Sequence, residues 1–547
     1  MRKLFAVVML AAFPLSANEI SVRSLQSGSP TGPTPLYDHG LHGEGQIVAV
    51  LDTGLDYDSC YFAEPDGSAP PITLRVTDTA VNLARRKVIA YDFLYSCTAF
   101  PSAPSCDDPN NLAAYDNQGH GTHAAASAVG DRGAPIAHDY GDAIATGAKL
   151  IVQDAGLSAS DNCTSRPGIG CPVTMTPILT QAYAQGARIH SNSWGDRQGV
   201  PPPFTPPTAN YTNAARDVDA FVASHPDMLV IFNTGNAATN DPVPPSTLSS
   251  PGCAKNTLQV GGTRMQNHND DDVIASYSLQ GPSRDGRIKP DIVGPAYVLA
   301  GDTDLHIGTN NCSISFQGGT SWASPTIAGA AALVRQYYTD GFYPTGIATP
   351  ANRLIPSAAL MKATLIAAAR SVPYLWDASL GAQPAKPVPS YEQGFGFPVL
   401  DDALYFPGDL VKLHITDAAA GLAQGETATT NLAVQAGAPL KVVLVWTDPA
   451  GTPRGTTDPT PQLVDDLDLR VIAPDGSVAW GNESLHPGEA DRLNNVEVVS
   501  IPAPVSGVYS IRVNAARVAS GTQSYALVIT GNISDVTRPH GRAAKHS

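Results

Sequence analysis

The chain has 547 residues, of which 43% are apolar, enough for roughly two or three packed globular domains. Its 33 lysines and arginines stand against 49 aspartates and glutamates, a net charge of −16 with an isoelectric point near 5.1. That balance excludes a surface built to hold nucleic acid or an anionic membrane, and it leaves a monomeric protein with neither among its partners as the expectation.

The N-terminus joins Arg2 and Lys3 to the apolar run Leu4 to Leu15 and the small pair Ser16-Ala17. This is the pattern of a secretory signal, residues 1–17, cleaved near Ala17. The run falls short of the roughly 20 apolar residues of a membrane span, so a secreted or periplasmic product is expected. Residues 18–35 read as an extended arm, because Gly, Pro and Ser dominate and no period is visible.

Gln46 to Leu51 is a continuous apolar run, the mark of a strand buried on both faces of a parallel sheet. It ends in Asp52-Thr53-Gly54, and the C-terminal end of a central strand is where open α/β sheets carry functional groups. Asp116-Asn117-Gln118-Gly119-His120-Gly121-Thr122-His123 then leads into the run Ala124 to Ala128, a polar loop entering a buried helix with His120 at its mouth. Further apolar runs at Ala148–Val152, Arg188–Ser193, Met228–Asn233 and Thr257–Val260 alternate with helical patterns at Thr176–Gly186 and Ala214–Ser224. Strands and helices in that alternation form right-handed crossovers and a doubly wound, mostly parallel sheet. Ser158–Pro172 and Gly199–Pro207 look like loop insertions, either lining a groove or lying plainly on the surface. Ile231 to Asn236 is a strand ending in a Gly-Asn turn, where the Asn236 amide can face a developing negative charge.

The densest signal is Gly318-Gly319-Thr320-Ser321-Trp322-Ala323-Ser324-Pro325, followed by the small apolar run Thr326 to Val334. Two glycines allow close approach, and Pro325 has the backbone angle of a first helical turn. Ser321 therefore sits where a loop becomes a helix, facing the free N–H groups and positive end of the dipole. A serine hydroxyl becomes a nucleophile when an imidazole takes its proton, and a carboxylate holds that imidazole in the right tautomer. Asp52, His120 and Ser321 supply these groups in the chain order Asp, His, Ser.

At these residues the chain resembles the subtilases, the subtilisin-like serine proteases. Val50-Leu51-Asp52-Thr53-Gly54, His120-Gly121-Thr122-His123 and Gly319-Thr320-Ser321-Trp322-Ala323-Ser324-Pro325 match that family's three signature segments over a catalytic domain of residues 36–405. The resemblance implies Asp52 as the orienting acid, His120 rather than His123 as the base, Ser321 as the nucleophile and Asn236 as the oxyanion donor. It implies that Ser191 to Gly195 pairs with an extended polypeptide substrate, with Ser193, Trp194, Gly195, Thr234 and Gly235 around the side chain at the cut. Trp322 stands where the family commonly has methionine, and Ala124-Ala125-Ala126 replaces an aliphatic residue and Ala-Gly. Little chain separates Ala17 from the first strand, where subtilases usually carry a folding propeptide: either this branch folds without one or the sequence begins late. Two other readings use the same groups, an inactive fold serving as a binding module and an esterase.

Seven cysteines follow the signal, and an exported chain pairs them. Short loops favour Cys97 with Cys106 and Cys163 with Cys171; Cys253 with Cys312 is a weaker expectation, since sequence does not fix connectivity, and the odd count leaves at least one cysteine unpaired, with a small buried hydrophobe as the alternative reading of Cys60. Beyond the proline-rich Gln383 to Ser390 and Gly394-Phe395-Gly396-Phe397 the pattern changes to short strands: Leu440–Trp446, Asp466–Val471, Asn495–Val499, Tyr509–Val513 and Tyr525–Ile529. Turn residues divide them, so residues 406–532 are expected to form an antiparallel β-sandwich or jelly roll and 533–547 a disordered tail. This part resembles the C-terminal jelly-roll domain of some secreted subtilases. In such proteins calcium is often structural, and Asp465, Asp466 and Asp468 with Asn482 or Asp491 are the candidate ligands; the chemistry itself needs no cofactor.

Overall fold

The computed structural model describes residues 17–94, 116, 119–133, 139–156, 174–196, 209–237, 243–264, 272–309, 311–455 and 457–536. The expected insertions at 158–172 and 199–207, and Cys97, Cys106, Cys163 and Cys171, lie outside them.

The first element corrects an expectation. The segment read as an extended arm opens with helix α1, Ala17–Ser27, whose Ile20, Val22 and Leu25 are buried together with Ser21, Ser24 and Gln26. Asn18 Nδ2 donates to the carbonyls of Gly141 and Asp142 at 3.2 and 2.7 Å, and Gln26 Oε1 accepts from Leu36 N at 3.0 Å. Small polar side chains make half of this buried face, so no apolar stripe advertised it.

The catalytic-type domain follows as β1 (Ile47–Asp52), β2 (Val88–Phe93), α2 (His120–Val129), β3 (Lys149–Asp154), α3 (Met175–Ala184), β4 (Ile189–Asn192), α4 (Asn213–Ser224), β5 (Leu229–Asn233), β6 (Leu258–Thr263), β7 (Ile292–Pro295), β8 (Tyr297–Gly301), β9 (Ile314–Gly318), α5 (Thr320–Thr339) and α6 (Ala358–Ala367). The sheet has eleven strands; its centre runs β2-β3-β1-β4-β5-β6, all parallel, with β7 parallel beside β6, and the short strands Val273–Ile274 and Gly381–Pro384 add antiparallel pairs towards one edge. β5 is buried at every residue, which is why its sequence is a continuous apolar run rather than an alternation. β1 lies at the middle, and the strands leave it outward in both directions, which places the C-terminal end of β1 at a switch point of the sheet. α5 passes beneath β1 and β4 to β7, its alanines at 323, 328, 330, 331 and 332 fully buried.

A second correction concerns Pro325. The helix begins at Thr320, so the proline sits in the second turn rather than the first. Its missing N–H leaves the Ser321 carbonyl without a helical partner, and Ser193 Oγ donates to that carbonyl at 2.6 Å.

The C-terminal domain contains β10 (Lys412–Ala423), β11 (Thr427–Val434), β12 (Leu440–Val445), β13 (Asp466–Ile472), β14 (Val478–Trp480), β15 (Val496–Ile501), β16 (Gly507–Arg517), β17 (Thr522–Gly531) and β18 (Ile533–Asp535). Two antiparallel sheets, β10-β17-β12-β15 and β14-β13-β16-β11-β18, face each other over Val442, Leu444, Trp446, Leu467, Leu469, Ile511, Val513, Leu527 and Ile529. β18 extends the sandwich past the expected boundary at 532. The other face of the first sheet, with Val443, Val445, Val496, Val498, Ala526 and Val528, belongs to the core of the first domain.

Cys60 pairs with Cys312 across 252 residues of sequence, correcting the expected Cys253 to Cys312 bridge. The long separation hid this pair, whose Cα atoms are 5.1 Å apart. Cys253 is a free, fully buried thiol, and burial pushes its ionisation far above the usual thiol range.

Candidate active site

Asp52 ends β1 with 2% of its surface exposed, and its Oδ1 accepts from Thr53 N at 2.8 Å and meets His120 Nδ1 at 2.6 Å. A carboxylate at that nitrogen accepts the Nδ1 proton and leaves Nε2 as the basic atom of the ring. The pair is held by the junction of β1 and α2. Thr53 Oγ1 donates to Asp116 Oδ1 at 3.0 Å and accepts from Gly121 N at 2.8 Å. The same Asp116 carboxylate accepts from Gly119 N (3.0 Å), Thr122 N (2.8 Å) and Thr122 Oγ1 (2.6 Å). These bonds satisfy the amides that a helix N-terminus leaves over, and burial pushes the Asp116 carboxyl up to about 6. A Cβ on Gly121 would lie 2.1 Å from the Gly54 carbonyl oxygen, so only glycine lets the helix start come this close to the strand end.

His123 is fully buried, and its Nε2 lies 3.1 Å from the Ser315 carbonyl oxygen. Burial holds this ring down at about 4, neutral at ordinary pH. His120, with 21% of its side chain exposed, is the imidazole at the mouth. Ser321 is the second residue of α5, 8% exposed, and its Oγ donates to the Ser193 carbonyl at 3.3 Å. The next side chain, Trp322, packs against His120 with ring centroids 4.7 Å apart and against His123 at 4.3 Å. The residue after Ser321 therefore packs on the imidazole whose Nδ1 meets Asp52.

Asn236 follows β5 and is exposed. Its Oδ1 accepts from Thr320 N and Thr320 Oγ1, both at 2.9 Å, which fixes the amide and leaves Nδ2 on the side of Gly319. Ser249 links the two segments expected to hold substrate. Its N and Oγ both donate to the Thr234 carbonyl at 3.0 Å, and a Cβ on Gly195 would meet Ser249 Oγ at 2.5 Å. Trp194 is half-buried with its ring edge-on to Phe232 at 5.3 Å. Ser191 and Asn192 are buried inside β4, and Ser193 is bonded to α5.

The acids expected to bind calcium find protein partners. Arg492 donates to Asp466 Oδ2 at 2.8 Å and to Asp468 Oδ1 at 2.5 Å, and Asp465 Oδ1 accepts from Ala519 N at 2.7 Å. Asp491 accepts from Asn482 Nδ2 at 2.7 Å, Asn494 Nδ2 at 2.6 Å and Leu493 N at 2.8 Å. Among the described residues no three carboxylates, histidines or cysteines gather to hold a metal ion.

Thr53, Asp116 and Trp322 were absent from the sequence-derived set. All three lie inside the signature segments or just before one, and for Asp116 an acid four residues before His120 is the sequence signal.

The sequence match places the chain, at family level, among the serine proteases. The chain is a member of the subtilase family, whose profile matches residues 43–396. Among curated proteins it is similar to the serine protease/ABC transporter B family proteins tagA and tagB of Dictyostelium discoideum. The tagA match is 26% identical over 620 residues, covering 94% of this chain and 32% of that protein. The tagB match is 24% identical over 659 residues, covering 93% and 31%. The chain thus spans about a third of the length of these relatives. Serine protease AprX of Bacillus subtilis is 33% identical over 117 residues, 19% of this chain and 26% of that one. Of solved structures, a serine protease of Aeromonas sobria matches 96% of this chain and 97% of its own, with a TM-score of 0.41 and 14% identity. The CspB protease of Clostridium perfringens matches 70% and 96%, with a TM-score of 0.47 and 14% identity.

Proposed function

We propose that the protein is an exported serine endopeptidase that cuts polypeptides through an acyl-enzyme at Ser321. The observation that carries this reading is the 2.6 Å contact between His120 Nδ1 and Asp52 Oδ1, beside a serine at the start of a buried helix. Ser321 Oγ bonds to the substrate carbonyl carbon as its proton passes to His120 Nε2, and the carbonyl π pair moves onto the oxygen. Asn236 Nδ2 and the Ser321 N–H bind that oxygen. Collapse breaks the C–N bond, and the leaving amine takes the proton from His120. Water repeats the sequence and frees Ser321. The substrate lies extended along Ser191 to Gly195 by main-chain bonds, with Ser193, Trp194, Gly195, Thr234 and Gly235 around the side chain at the cut.

Export is supported by the Cys60–Cys312 disulfide, since such bonds persist in oxidising compartments, and by the signal pattern at residues 1–17. Among the described residues no helix is long and apolar enough to cross a membrane.

Ser321→Ala is expected to lower kcat by on the order of 10⁶ with the melting temperature preserved, and a serine-directed phosphonate is expected to label the parent protein alone. Substantial peptidase activity in the folded variant would overturn the assignment. Turnover confined to small esters would favour an esterase, and no labelling of the parent protein would favour a binding module.

A further inference from the structure

Three nitrogens that carry protons lie around one point at Gly319. The position a Cβ would take on that glycine lies 3.6 Å from Asn236 Nδ2, 3.6 Å from Trp322 Nε1 and 3.8 Å from Ser321 N. The first and last are the donors already given to the developing oxyanion. The indole is the addition. Trp322 is 4% exposed, and its Nε1 is buried with no hydrogen-bond partner among the described residues. Buried indole N–H groups ordinarily find an acceptor. This ring is not free to turn towards one, because it is wedged against His120 at 4.7 Å and 41° and against His123 at 4.3 Å and 57°.

We propose that Trp322 Nε1–H is a further oxyanion donor, whose acceptor is the substrate oxygen that becomes negative when Ser321 attacks. The proposal rests on the reading of Ser321 as nucleophile. It explains a buried donor without an acceptor lying near the same point as the Ser321 N–H. It also explains the glycine, since a side chain at Gly319 would occupy the space that the oxygen needs. The oxygen carries more charge in the tetrahedral species than in the bound carbonyl, so the indole bond strengthens during the reaction and acts on kcat more than on KM. An indole donates only and stays neutral, so this donor brings no titration of its own.

Trp322→Phe keeps a ring against both histidines and removes the N–H. In the full chain, kcat on a peptide substrate is expected to fall roughly tenfold, the scale of one hydrogen bond to a charged acceptor, with KM little changed. Affinity for a peptide aldehyde, whose hemiacetal with Ser321 places an oxygen in the same site, is expected to fall by a similar factor. The pH midpoint of kcat/KM should stay where it is. In the parent protein the Trp322 indole proton, identified by its loss in Trp322→Phe among five tryptophans, should move downfield in the NMR spectrum when the aldehyde binds. Unchanged kcat and aldehyde affinity, or an indole proton that does not move, would overturn the proposal. So would a loss accompanied by a shifted pH midpoint, because the ring would then act through His120. A parent protein that neither cleaves peptides nor reacts with the phosphonate fails the functional reading itself, whereas an active parent matched by an equally active Trp322→Phe fails only this inference.

Discussion

At the scale of residues, the geometry of the Asp52–His120 pair is set by neighbours that do no chemistry. A carboxylate and an imidazole borne on two different elements stay 2.6 Å apart only if the strand end and the helix start are fixed to each other. Thr53 and Asp116 do this through one hydroxyl and one carboxylate. Asp116→Ala leaves the Gly119 and Thr122 amides and the Thr53 hydroxyl without their acceptor. It is expected to cost about 1–3 kcal/mol of stability and to lower kcat well beyond what that loss of stability explains, with KM nearly constant. Denaturant unfolding and steady-state kinetics on the same preparation check this; a variant less stable but equal in kcat would make Asp116 a plain helix cap. The groups Asp52, His120 and Ser321 were legible because each lies in a short segment whose chemistry is named by its residue types. Asp116 and Trp322 were not, because their roles come from where a neighbouring helix puts them.

At the scale of elements, strands buried on both faces were the easiest to read. β1 and β5 carry continuous apolar runs and β3 and β12 shorter ones, Leu150–Val152 and Val442–Val445, whereas β10 and β11, with sequences KLHITDAAAGLA and TATTNLAV and several exposed positions, have none. Connections were also illegible, above all the one that braces β1 against the loop before β9. Cys60 is bonded to Cys312, and the nearby Asp56 Oδ2 accepts from Asn311 Nδ2 at 2.9 Å, while Asp58 Oδ2 accepts from Gly308 N at 2.5 Å. Burial, together with Asp58 alongside, pushes the Asp56 carboxyl from 3.8 up to about 7. The folded state therefore holds the Asp56 proton more tightly than the unfolded chain does. The resulting stabilisation is full below the unfolded value of 3.8 and is lost as pH rises through about 7. Asparagine mimics the neutral acid, so Asp56→Asn is expected to raise the melting temperature at pH 8 by a few degrees more than at pH 5. Equal shifts at the two pH values would show that Asp56 titrates normally.

At the scale of the whole molecule, the sandwich completes the core of the domain before it. In β12 the residues Val442 and Leu444 point between the two sheets, while Val443 and Val445 point towards α6 and the first domain; an apolar run where one-sided burial would give alternation was the sequence's sign of this. The contact is fixed by polar groups removed from water. Lys255 and Asp448 are both fully buried and paired. Lys255 Nζ also donates to the carbonyls of Pro449 and Gln462 at 2.5 and 2.8 Å. Asn256 exchanges two bonds of 2.9 Å with the Asp448 backbone, and Ile288 N donates to Asn494 Oδ1 at 2.7 Å. Lys255→Met keeps the aliphatic stem and leaves Asp448 buried without its counter-ion, a loss of roughly 3–5 kcal/mol for a broken buried pair. Because one core serves both domains, that loss falls on both. Calorimetry in a Ser321→Ala background, which prevents self-digestion, is expected to show a single transition that moves down as a whole. Two separated transitions of which only one moves would mean that the domains fold independently and that the buried pair only docks them.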